Sequence, residues 1–106
     1  PLGVDTKNPV VTTETICKIK DEIPGAKTIV GLSNVSYGLP KRKLLNQIFL
    51  VLSLQAGLDA ALLNPTDNRM MATLKAAETL LNNDRMCMNY MRAYRKGLLE
   101  DLEGFK

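Results

Sequence analysis

The chain has 106 residues, 45% of them apolar, with 14 basic and 11 acidic side chains and a net charge of +3. That suffices for one small domain, and so mild a basic excess gives no reason to expect a nucleic-acid partner. There is no histidine and there are two cysteines, Cys17 and Cys87, so the commonest general base and metal ligand is missing and no protein-bound metal is expected.

Two distant cysteines make no disulfide framework and read as free, partly buried thiols in a reducing, cytoplasmic compartment. No secretory signal is evident. The apolar stretch 48–63 is interrupted by Gln55, Gly57 and Asp59 and is shorter than the ~20 residues of a membrane span, so no membrane partner is expected. Pro1-Leu2-Gly3 reads either as the remnant of a cleaved expression tag or as native chain, and carries no structural weight.

In chain order, Thr12 or Thr13 is expected to cap a first helix, with Glu14 in its first turn. Ile16, Ile19 and Ile23 share one face, and Pro24-Gly25 stops it. A strand is expected over 27–32. It runs into Gly31-Leu32-Ser33-Asn34-Val35-Ser36, a small and polar loop. Proteins built of βα units place such loops at the carboxyl end of a strand, where side chains and free backbone groups meet a ligand. Asn34 is the residue there best suited to chemistry, although Asn is equally a common turn residue.

Pro40 suits the first turn of a second helix, expected over 41–56. Lys41-Arg42-Lys43 reads as its solvated start. Leu44, Leu45, Ile48, Phe49, Val51, Leu52 and Ala56 cover more than one face, so this helix is expected to be mostly buried. Gly57 fits the position after its end. Ala60-Ala61-Leu62-Leu63 reads as a second strand, 60–64, parallel and covered on both faces.

Asn64-Pro65-Thr66-Asp67 ends that strand, and Thr66 or Asp67 caps a third helix whose core face is Met70, Met71, Leu74, Ala77, Leu80 and Leu81. Asn64 and Asp67 are open to a role at a site mouth or in capping and turn formation. Asn82-Asn83-Asp84 breaks the third helix. A fourth is expected over 85–103, with Cys87, Tyr90, Met91, Tyr94 and Leu98 on one stripe. Met70, Met71, Met86, Met88 and Met91 read mostly as core packing, and Tyr90 and Tyr94 as packed rings with polar tips outward.

Helices alternating with strands imply an α/β fold, with two parallel strands and about four helices. Two such strands are both edges with unpaired backbone groups. The chain is therefore expected to be part of something larger and, alone, to form a homo-oligomer.

Three segments together resemble a known family. They are Val30-Gly31-Leu32-Ser33-Asn34-Val35-Ser36-Tyr37-Gly38-Leu39-Pro40, then Arg42-Lys43-Leu44-Leu45-Asn46 with Phe49-Leu50, then Ala56-Gly57-Leu58-Asp59-Ala60-Ala61-Leu62-Leu63-Asn64-Pro65. They are similar to methyltetrahydrofolate:corrinoid methyltransferases and, more distantly, to the pterin-binding domain of cobalamin-dependent methionine synthase. The resemblance implies a (β/α)8 barrel of the dihydropteroate-synthase type, roughly 250 residues long. Residues 1–106 would be its C-terminal part, an incomplete barrel and inactive alone. The chemistry implied moves a methyl group from N5 of methyltetrahydrofolate, the substrate, to the cobalt of a corrinoid held by a partner protein.

Residue by residue, Asn34 matches the family asparagine that hydrogen-bonds N5. Gly31 and Ser33 match positions lining the pterin, and Arg42 a basic position near it. Tyr37 stands where glutamine is frequent in the best-known relatives, and with Asn64 would lie at the site mouth. Two rival readings are a dihydropteroate-synthase-like enzyme and a non-enzymatic helical interaction module. The first should carry an arginine-and-histidine motif after its last strand, where this chain reads Asn64-Pro65-Thr66-Asp67.

Overall fold

In a computed structural model, the structure describes residues 7–64 and 66–99, apart from the side chains of Ser33 and Asn34. The chain divides into two units, Pro1–Leu63 and Asn64–Lys106.

The first unit opens with α1, Asn8–Glu22. Proline is tolerated in a first helical turn because the amide it lacks would have no intrahelical partner, and Pro9 stands there. The helix therefore starts a turn before Thr12 and Thr13, which are not its caps. Their hydroxyls donate back along the helix, Thr12 to the Asn8 carbonyl at 2.9 Å and Thr13 to that of Val10 at 3.0 Å. Ile16 is buried, whereas Ile23 lies past the last helical residue and is exposed.

Strands β1, Ile29–Gly31, and β2, Ala60–Leu62, pair in parallel, with Ile29 opposite Ala60, Val30 opposite Ala61 and Gly31 opposite Leu62. The parallel pairing is as expected, but both strands are shorter than 27–32 and 60–64. Nor are they covered on both faces. Ile29 and Leu62 are 62% and 66% exposed, while Val30 and Ala61 on the other face are half-buried.

Helix α2, Arg42–Ala56, packs on α1. Its first helical residue follows Lys41, which holds the left-handed conformation at φ +56°, so Pro40 precedes the helix rather than sitting in its first turn. Phe49 and Leu50 join Ile16, Leu32 and Leu58 as the buried apolar residues of this unit. Gln47 and Ser53 are buried too, but Leu44, Ile48, Val51 and Leu52 are exposed. The expectation of a mostly buried helix fails on that side, because none of the described residues covers it. The helix ends as expected. Gly57 turns left-handed at φ +110°, its N–H donates to the Leu54 carbonyl, and that of Leu58 donates to Ser53, both at 3.0 Å.

In the second unit, Asp67 caps α3, Asn68–Leu80, by accepting the Met70 N–H at 3.1 Å. Thr66 is not the cap: its N–H and hydroxyl donate to Asn64 Oδ1 at 3.0 and 2.7 Å. Met70, Ala72 and Ala77 are the buried residues of α3, and Leu80 is 86% exposed rather than core.

The fourth helix is shorter than 85–103. Met86 and Cys87 both have positive φ, within a short 3₁₀ turn at Arg85–Cys87, and L-residues cannot continue a right-handed helix there. Helix α4 is Met88–Arg95; the remainder expected at 100–103 lies outside the described residues. Ala93 is its buried residue, while Met91, Tyr94 and Leu98 on the expected stripe are exposed. Met86 and Met88 are exposed as well, so of the core set Met70 alone is buried and Met71 half-buried. Both cysteines are free and exposed, not partly buried. Among the described residues no helix is long and apolar enough to cross a membrane.

Candidate functional site at the carboxyl end of the first strand

Strand β1 ends at Gly31, and the buried Leu32 anchors the chain beyond it by donating its N–H to the Leu62 carbonyl at 3.3 Å. Residues Ser33–Ser36 then form a 3₁₀ turn. The motif singled out in the sequence thus leaves the sheet at the carboxyl end of a parallel strand. Among the described residues a Cβ built on Gly31 would meet nothing within 4 Å, so their packing does not demand glycine there and leaves space beside it. Backbone places Asn34 and Ser33 in the turn, and their side chains lie outside the described residues.

Ser36 closes the turn and is fully buried. Its hydroxyl donates to Asn46 Oδ1 at 2.7 Å and accepts the Nε–H of Arg42 at 3.1 Å. The Arg42 guanidinium lies 5.8 Å from the centroid of the Tyr37 ring, a cation–π distance. Arg42 and Tyr37 are therefore brought together beside the turn. Ser36 and Asn46 were assigned no role from sequence. The available signal was the spacing of Arg42 and Asn46, four apart and hence neighbours on one helix face. Asn64 belongs to the second unit, where its carboxamide oxygen holds the turn into α3.

The amino end of the sheet is built differently. Asp59 precedes β2 and accepts Lys20 Nζ on both oxygens, at 2.8 and 3.0 Å, and the Thr28 N–H at 2.8 Å. Lys27 lies 4.0 Å away. The Lys20 hydrogen bond, then the Thr28 amide, hold the Asp59 carboxyl below the usual carboxylate range against its partial desolvation. Asp59 ties α1 to the starts of both strands.

In the second unit the buried Asp84 accepts the N–H of Asn89 at 3.0 Å and of Tyr90 at 2.9 Å, and the Thr79 hydroxyl at 3.2 Å. The Asn89 amide foremost lowers its pKa, opposing the effect of burial. These bonds cap α4. A hollow of about 260 Å³ beside it is lined by Lys75, Glu78, Asp84, Asn89, Arg92 and Lys96, among others, and by none of the motif residues. Among the described residues no group of three or more Cys, Asp and Glu side chains could hold a metal ion.

No protein-family model matches the chain. Over 79 residues it is 46% identical to the methylcorrinoid:tetrahydrofolate methyltransferase of Eubacterium limosum, which covers 74% of this chain and 29% of that protein. It is 38% identical over 60 residues to the methionine synthase of Mycobacterium leprae (strain TN), covering 55% of this chain and 5% of that one. The methionine synthase of Mycobacterium tuberculosis (strain ATCC 25618 / H37Rv) is 40% identical over 57 residues, with 52% and 5% covered. The chain spans less than a third of the length of these curated relatives. With relatives of both kinds matching it, and its motif turn at the end of a parallel strand, the chain belongs to the methyltetrahydrofolate–corrinoid methyltransferase family.

Proposed function

We propose that this chain is the C-terminal third of a cytoplasmic (β/α)8 pterin-binding barrel. The barrel moves a methyl group between N5 of tetrahydrofolate and the cobalt of a corrinoid carried by a separate partner protein. The observation that carries the proposal is the turn at 33–36, set at the carboxyl end of β1 beside the open space at Gly31. In βα barrels that end of the sheet holds the active site.

On this reading Gly31 and Ser33 line the flat pterin, and Arg42 stands near it with Tyr37 at the mouth. The Asn34 carboxamide hydrogen-bonds N5. In the transfer N5 would take up a proton from solvent, the N5–carbon bond would break with its electron pair staying on N5, and an electron pair of the reduced cobalt would form the new bond to carbon. A neutral amide answers the changing charge at N5 without itself titrating near neutral pH. The name of the Eubacterium limosum relative puts the methyl on the corrinoid as donor. Both directions pass through one transition state, so the same amide serves either.

The exposed apolar side chains support the barrel. Ile29 and Leu62 on the sheet, and Leu44, Ile48, Val51 and Leu52 on α2, are surfaces that further strands and helices would cover. The isolated chain is accordingly expected to self-associate and to bind methyltetrahydrofolate weakly at best, since positioning by the missing strands supplies much of the rate. Sedimentation and calorimetry test this; a compact, cooperatively unfolding monomer that binds tightly would overturn it. For the full-length protein, the test is methyltetrahydrofolate binding together with single-turnover methyl transfer to a reduced corrinoid protein. Both are expected, and a protein that shows neither is not this methyltransferase.

A further inference from the structure

Ser36 and Asn46 have no part in the proposed chemistry, yet they form a part-buried polar contact beside the motif. Ser36 has no exposed surface. A hydroxyl has one proton to donate and lone pairs to accept with. Here the proton goes to Asn46 Oδ1 at 2.7 Å, which turns a lone pair toward the Arg42 Nε–H at 3.1 Å. Asn46 and Arg42 stand one turn apart on α2, and Ser36 is the last residue of the turn that carries Asn34. The bond at Nε sets the plane of the guanidinium, and the Tyr37 ring flanks it at 5.8 Å. An arginine already held in one rotamer loses less entropy when it binds.

We infer that Ser36 and Asn46 are positioning residues: their hydroxyl–carboxamide pair locks Arg42 in the orientation that receives the folate substrate and ties the 33–36 turn to α2. This rests on the proposed function, because it is the folate that Arg42 meets. Alanine at 36 would remove the acceptor of Nε–H and the donor to Asn46. Alanine at 46 would remove the acceptor that holds the Ser36 proton away from Arg42. Aspartate at 46 would keep an acceptor oxygen for Ser36.

The test uses the full-length protein, with methyltetrahydrofolate as the probe and its affinity measured by calorimetry. Asn46→Ala and Ser36→Ala are each expected to weaken binding about tenfold, the scale of one hydrogen bond to a charged group. Asn46→Asp should remain within about threefold of wild type. Arg42→Lys cannot offer Nε–H in that geometry, so adding Ser36→Ala or Asn46→Ala to it should cost nothing further. A merely structural role would give losses that add to that of Arg42→Lys. Additive losses, wild-type affinity in Asn46→Ala, or no rescue by Asn46→Asp would each overturn the inference. Should Ser36→Ala not fold, the partly exposed Asn46 carries the same cycle. Absence of binding by the wild type would instead overturn the functional reading, and this inference with it.

Discussion

The two ends of the short parallel sheet are held by different chemistry. At the amino end a carboxylate, Asp59, gathers Lys20, the Thr28 amide and, more distantly, Lys27. At the carboxyl end a buried hydroxyl, Ser36, mediates between a carboxamide and a guanidinium. The charged clamp joins α1, β1 and β2, where no chemistry is proposed. The mostly neutral network joins the motif turn to α2 while leaving open space at Gly31. The contrast fits a division of labour found in βα barrels, with stability on the amino face and function on the carboxyl face.

The sharpest way to break that division is Asn34→Ala in the full-length protein. It should slow single-turnover methyl transfer about 10²–10³-fold, as loss of one preorganised hydrogen bond does, and weaken folate binding far less. Thermal unfolding should hardly move. Weakened binding with an unchanged rate would make Asn34 a turn residue and remove the chemical half of the comparison.

At the other end, Gly57→Ala should destabilise without touching chemistry. Its φ of +110° suits glycine, and a Cβ would come within 3.0 Å of Lys20 Cγ. The strain costs about 1–3 kcal/mol, and moving Lys20 also disturbs its bond to Asp59. Chemical denaturation measures the loss, and kcat per folded molecule should be unchanged.

Asp59→Asn is expected to lower Tm by a smaller amount, again with wild-type activity per folded molecule. A change in activity with no change in Tm would place function at the amino end and reverse the comparison.

The smallest effect is one of pH. The folded-state pKa of Asp59 lies below the ordinary 3.8. A depressed carboxyl contributes its stability in full above the unfolded pKa and loses it as pH falls through the folded value. The Tm gap between wild type and Asp59→Asn should hold from neutral pH down to about pH 5 and close below about pH 4. The gap for Ser36→Ala should show no such acid limb of its own, because the Ser36–Asn46 pair holds no carboxylate. Thermal scans of both variants against pH decide whether the two ends differ as described.

Much of this was legible from local pattern. The alternation of helices and strands implies parallel pairing, Gly57 marks the end of α2, and Asn82-Asn83-Asp84 ends α3. The start of α1 lies a turn before the threonines, at the position Pro9 marks, because threonine is as ready to bond back along a helix as to cap one. Asn34 came from its motif and the family resemblance, which named the position without showing its surroundings. The left-handed pair Met86 and Cys87 has no signal in residue type, since neither favours positive φ. Exposure of the Leu44, Ile48, Val51 and Leu52 side depends on what is packed against it, which periodicity does not specify.

Residue order alone therefore determined the element types, the order in which they meet and the place of the motif at a strand's carboxyl end, because these follow from backbone preferences and spacing within a few residues. Tertiary structure decided the two clamps. Lys20 and Asp59 are 39 residues apart, and Ser36 and Asn46 are 10 apart. Whether such groups meet depends on how helices pack on the sheet, and a hydrogen bond's tolerance of a few tenths of an ångström is much finer than any sequence period.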